Sequence, residues 1–396
     1  MALVLDWLEL AVRWVHVIAG VAWIGASFYF NWLNDRLTAP ETTEPGLVGE
    51  LWSVHGGGFY RALKYDTVPG ATLSHLHWFK WEAYLTWLSG FALLVLVYYL
   101  GADVYLIDPT VAALPSGAVI GISLGGLALG WLVYDRLCRT ALAQRPAMFI
   151  GLGLVLIAGA AFGFQQVFGP RAAYMQIGAM LGTIMAANVF FMIIPAHVEL
   201  VKAVEEGRAP DTATGSYAAG RSRHNNYFTL PVLFVMISGH HPMTYGHPWG
   251  WAILIGLFIV GVLTRHGFNQ RNRGRPPGWL FAAALLGLLA LAVVSTGARG
   301  RIDLGAGPPG AVTYAEIEEI LVARCVTCHA AEPAHRLFDE PPGGILLETE
   351  AQVRAVLSKI EAVTVHTRIM PLGNFTGMTD EERRVLAAWI RSGVDR

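Results

Sequence analysis

The chain has 396 residues, 54% of them hydrophobic and 14% charged, with a mean hydropathy of +0.46 and a formal net charge of −1. Soluble domains usually carry roughly a quarter of their residues as charges, so this composition argues for a membrane protein, and the balanced charge leaves no basic field for nucleic acid. Three cysteines cannot make a disulfide framework, and Cys138 reads as a small buried hydrophobe.

Eight apolar stretches, near residues 7–32, 78–100, 114–136, 148–168, 173–201, 227–241, 248–265 and 278–297, are long enough to cross a bilayer. The sixth and seventh are short and divided by Gly239, Pro242, Gly246 and Pro248. Backbone polar groups in lipid must be satisfied within a segment, so these are read as helices. The first lacks a basic leader and a small-residue cleavage site, so it reads as a retained span.

The loops after helices one, three, five and seven carry fourteen lysines and arginines, among them Arg36, Arg61, Lys64, Arg221, Arg223 and Arg265; the intervening loops carry only Arg171. This asymmetry predicts that the odd loops are cytoplasmic and both termini are extracytoplasmic, periplasmic in a Gram-negative cell. The expected organisation is an integral membrane domain over 1–298, a Gly/Pro-rich linker over 299–311 and a small helical domain over 312–396. Capping boxes at Thr313–Glu316 and Thr379–Glu382 open helices in that last domain, with a middle helix over about 350–363.

Cys325-Val-Thr-Cys328-His329 is a c-type haem attachment sequence: the two thiols add to the haem vinyl groups and His329 ligates iron. A zinc reading would need a second ligand pair, and no cysteine follows Cys328. Met370, followed by Pro371, is the expected sixth ligand, ahead of Met378, His366 and His335. His/Met ligation raises the potential and suits an electron acceptor. Covalent haem c attached outside the cytoplasm agrees with the topology read independently from charge.

Ionisable residues within spans are functional-site candidates. His16 falls in the middle of the first span, with Gly20 one turn away; its bland reading is a histidine hydrogen-bonded between helices. His55, His75, His77, His197 and His224 could converge on one inner-face site, with His55, His77, His197 and His224 as weak catalytic candidates. Arg61, Lys64, Arg221 and Arg223 could hold an anion, though charge asymmetry explains them without function.

The stretches Trp14-Val-His16-Val-Ile-Ala-Gly-Val-Ala-Trp23-Ile-Gly25, His55-Gly-Gly-Gly-Phe-Tyr60 and Leu76-His77-Trp78-Phe79-Lys80-Trp81-Glu82 resemble the bacterial membrane-bound urate hydroxylases, urate oxidases with a C-terminal cytochrome c domain. Asn188-Val-Phe-Phe-Met-Ile-Ile-Pro195 and Arg223-His224-Asn225-Asn226-Tyr227 resemble that family too. The resemblance implies an all-α fold of about eight transmembrane helices fused to a class I cytochrome c domain. It implies oxidation of urate to 5-hydroxyisourate in purine catabolism at the bacterial inner membrane. Electrons would pass to the chain's own haem c, then to a soluble cytochrome or terminal oxidase rather than to oxygen.

A haem b held by His16 with His77 or His197 would bridge an inner site and the outer haem. The alternative is a membrane-anchored electron-transfer cytochrome, serving quinol or a dehydrogenase, with no urate site. A metal or haem transporter with a redox tail is a third reading.

Overall fold

The computed structural model describes residues 2–66, 75–275, 277–296 and 312–393. The proposed 299–311 linker lies outside the described residues. Eight long helices form the first part of the chain. They are α1 (Ala2–Arg36), α2 (Trp81–Leu93, continued by a π-helical turn Leu94–Tyr99), α3 (Ser116–Cys138) and α4 (Pro146–Gln165), followed by α5, α6, α7 and α8. Helix α5 runs over Pro170–Ala187 and continues through a π-helical segment Asn188–Ile193 into Ile194–Glu205; α6 is Thr212–Ser238, α7 Gly250–Asn272 and α8 Gly278–Thr296.

Seven of these helices are long and apolar enough to cross a membrane; α6 is the exception. Sequence reading places a span at 227–241 and a loop before it, whereas α6 begins at Thr212 and carries Arg221, Arg223, His224, Asn225 and Asn226 within the helix. The reason is packing. Ala218, Arg221, Asn225 and Thr229 fall three or four residues apart on one buried face, so the polar stripe meets other helices and not lipid. Asp211 caps the start of α6 by accepting from the Ala213 and Thr214 amides, and Pro231 is accommodated because Gly261 of α7 lies against its ring.

The fold also departs from an all-α expectation between α1 and α2. Strands β1 (Leu47–His55) and β2 (Gly58–Tyr65) pair antiparallel, from Leu47 opposite Tyr65 to His55 opposite Gly58. The turn residues Gly56 and Gly57 both have positive φ, +56° and +80°, which is what a two-residue hairpin turn demands. Buried Glu50 accepts from Arg61 across the pair, which holds its carboxyl below the usual range.

The C-terminal part packs α9 (Tyr314–Arg324), α10 (Glu350–Ala355) and α11 (Asp380–Gly393) around Ile317, Leu321, Val353, Leu386 and Ile390. Both predicted capping boxes form, and Thr349 with Gln352 forms a third. The expected middle helix is broken at Val356 into α10, a turn Leu357–Ile360 and a π-helical turn Glu361–His366. Trp389 of α11 lies against Tyr314 of α9, ring centroids 5.8 Å apart.

Candidate functional site

The last turns of α1, α3 and α7, the first half of α6 and the π-helical segment of α5 meet at one end of the bundle. There they enclose a buried polar network. A π-helical insertion shifts the register of a helix face. In α5 it begins at Asn188, whose side chain is fully buried and bonds three partners. Asn188 Nδ2 donates to Asn225 Oδ1 at 2.8 Å and to the Tyr134 hydroxyl at 3.1 Å, and its Oδ1 accepts from Arg221 at 3.2 Å. The Tyr134 hydroxyl in turn lies 2.8 Å from His224 Nδ1, with Cys138 Sγ 4.0 Å from the same nitrogen. The His224 ring stacks on Phe149 at 5.1 Å.

Arg221 is 1% exposed and its charge is matched: Asp135 Oδ1 lies 2.6 Å from Nη2. Tyr217 also accepts from Nη2, and the Tyr134 and Tyr217 rings flank the guanidinium at 4.9 Å. One step around α6, Asn226 looks the other way, toward α1 and α7. Its Oδ1 accepts from Arg265 Nε, and its amide reaches Asn269 at 3.3 Å and Asn31 at 3.4 Å. Arg265 is 5% exposed and its guanidinium carbon sits 3.7 Å from the Phe28 ring centroid. Beside it, Tyr227 bonds His266 Nδ1 at 2.7 Å.

Of the histidines expected to converge, only His224 joins this network. His55 stands exposed at the hairpin turn formed by Gly56 and Gly57. His77 is exposed ahead of α2 with Glu82 3.9 Å away, and His197 is exposed on the Ile194–Glu205 helix. His16 is part-buried between α1 and α2. Its Nδ1 meets the Thr86 carbonyl at 3.0 Å and Ser89 Oγ at 3.1 Å, and Gly90 gives the ring room. The structure brings His16, His77 and His197 into three different surroundings. Sequence reading missed Asn188, Asn31, Asn269 and the role of Arg265 as a buried cation; the signal was polar residues at helical spacing inside otherwise apolar stretches.

In the C-terminal part, Cys325 ends α9 and Cys328 and His329 lie on the next helical turn. Neither cysteine is in a disulfide, and burial pushes the Cys325 thiol up to about 12 and raises Cys328 as well. His329 Nδ1 lies 3.0 Å from the Ile345 carbonyl, which fixes Nδ1 as the protonated nitrogen and leaves the Nε2 lone pair for a metal. Met370 is half-buried, its backbone held by the Val363 carbonyl at 2.9 Å and by Arg383 at 2.7 Å. Met378 is committed to the hydrophobic core. His335 is buried with its Nδ1 accepting from the Leu337 amide, and His366 sits 3.3 Å from Glu361. The residues present therefore suit a covalent haem with Met370 as the free thioether. No cluster of three His, Cys, Asp or Glu side chains able to hold a metal ion occurs among the described residues.

The loop carrying Met370 rests on the opposite end of the bundle from the polar network. Gly373 is so close to the 102–107 turn that an added Cβ would lie 2.7 Å from the Val104 and Ile107 carbonyl oxygens. Gly246 makes equally close room for Thr367 and Ile369, and Arg336 pairs with Asp103 at 2.9 Å.

No curated protein and no solved structure matches the chain. The urate oxidase N-terminal family matches residues 2–296, about three quarters of its length and the whole of the helical bundle that builds the buried network. The chain belongs to the urate oxidase N-terminal family.

Proposed function

We propose that this chain is a membrane-bound urate oxidase that converts urate to 5-hydroxyisourate and delivers the electrons to a haem c on its C-terminal domain. The observation that carries the reading is the polar network on α1, α3, α5, α6 and α7: two guanidiniums, five carboxamides and two Tyr–His pairs lie where an apolar core is expected. Urate is a planar anion edged with N–H and C=O groups, and arginine and carboxamide side chains complement both features. The family match supports urate-related oxidation by this bundle.

The reaction adds a water oxygen to carbon 5 of the purine and removes two electrons and two protons. Tyr134 with His224, and Tyr227 with His266, are the groups placed to accept those protons, since each tyrosine is in direct hydrogen-bond contact with an imidazole. A haem c held by Cys325, Cys328, His329 and Met370 supplies a one-electron acceptor. The network and the Met370 loop stand at opposite ends of the bundle: from Arg221 to Gly239, α6 alone spans about 27 Å at about 1.5 Å per residue. A second haem in the bundle, expected on His16 with His77 or His197, would need another partner for His16, since the three histidines lie in different surroundings. His16 lies midway along α1, and its Nδ1 contact with the Thr86 carbonyl leaves Nε2 available.

The test is an anaerobic visible spectrum of the oxidised, detergent-purified protein before and after urate. Growth of a c-type α-band at a useful rate is expected, with a b-type band preceding it if the second haem is on the path. A protein that dithionite reduces fully but urate leaves unchanged is an electron-transfer anchor and not a urate oxidase.

A further inference from the structure

The two buried arginines of the network differ in one respect, the presence of a counter-charge. Arg221 is neutralised by Asp135 at 2.6 Å. Arg265 makes no ion pair among the described residues, and Asp35, the acid whose charge acts on it, is already paired with Arg273 at 3.1 Å. Arg265 nonetheless lies within the apolar α7 span, 5% exposed, with its Nη2 buried and without a hydrogen-bond partner. An unpaired guanidinium costs several kcal/mol to keep inside a low-dielectric bundle. Arginines buried in spans pair with an acid, with backbone carbonyls or with a ligand. Here Nε is satisfied by neutral Asn226, and Nη2 is buried without a partner.

We propose that Arg265 is the seat of the substrate anion, and that urate supplies the counter-charge the protein omits. This rests on the reading of the chain as a urate oxidase. Asn226 fixes the guanidinium through Nε and leaves Nη2 pointing to a ligand oxygen. Phe28 covers one face of the guanidinium, its ring centroid 3.7 Å from the guanidinium carbon, and so holds the cation in place. Asn31 and Asn269 hold the Asn226 amide from the far side, which makes them positioning residues. Arg221 has a structural part: its charge is spent on Asp135, and it ties α6 to α3 and α5.

The experiment measures binding of urate by equilibrium dialysis to the dithionite-reduced full chain, which cannot turn over, alongside the uncharged purine hypoxanthine. Arg265→Gln is expected to weaken urate binding by about tenfold or more, as removal of one partner of a buried charge pair does, and Arg265→Lys to recover part of it. Asn226→Asp places a carboxylate on Arg265 Nε, so it is expected to match the loss in Arg265→Gln while leaving the thermal midpoint unchanged or raised. That second variant keeps the test valid if Arg265→Gln folds poorly. Hypoxanthine affinity is expected to respond little to either change. If the wild-type chain binds no urate, the functional reading falls and this seat with it. If the wild type binds urate and both Asn226→Asp and Arg265→Lys bind it equally well, the function stands and the assignment to Arg265 is wrong.

Discussion

Asp135 and Arg221 illustrate how a membrane bundle tolerates ionised side chains: each removes the other's need for water. Asp135→Asn would leave Arg221 buried and unpaired, a change expected to cost about 3–5 kcal/mol of stability. A thermal denaturation series would show it as an early loss of the α3–α5–α6 contact. The two methionines near the attachment motif should separate in the same way. Met370→His is expected to lower the haem midpoint potential, because bis-imidazole ligation favours the ferric state. Met378→Ala is expected to leave the potential in place and to destabilise the C-terminal part by about 2–5 kcal/mol, as core truncations of methionine do. Potentiometry and melting, run on both variants, check the pair. At this scale the sequence was most legible where chemistry is local. Cys325, Cys328 and His329 sit within five residues, so the motif is visible in the sequence without any knowledge of the fold. Arg221 and Arg265 were legible as charges but not as sites, because what separates them is a carboxylate 86 residues away from one and the lack of any from the other.

Among the elements, α6 was the least legible. Its first half reads as a loop by hydropathy, since a helix whose polar stripe is buried against other helices loses the apolar signature of a span. The hairpin β1–β2 escaped for a different reason: its signal is the glycine run after His55, which stands out in the sequence only as part of a family resemblance and not as turn geometry. The capping boxes at Thr313 and Thr379 were fully legible, since each is closed by residues three apart. Gly373 supplies the prediction proper to this scale. It has φ of +59° and no space for a side chain, so Gly373→Val should push the Met370 loop off the 102–107 turn. Covalent haem content is expected to hold while urate-driven reduction of the haem slows; a stopped-flow trace with rates equal to wild type would show that the contact is dispensable.

Across the whole molecule, the buried network and the Met370 loop occupy opposite ends of one helical bundle. Under the proposed function, protons would be released at one end and electrons delivered at the other. Removing the C-terminal part should therefore leave urate binding intact and abolish electron delivery, which dialysis and reduction assays on the shortened chain would separate. The close approach of Gly373, Gly246 and Arg336 to the bundle has a further consequence. A carrier swinging on its linker would spend its time diffusing between donor and acceptor, and its rate would depend on tether length and solvent viscosity. A carrier seated by backbone-to-backbone contact keeps one side permanently facing its donor, so any external acceptor must approach from the remaining side. Under the proposed function, turnover would then be governed by collisions at that outer side, and lengthening the linker would leave the internal transfer unchanged.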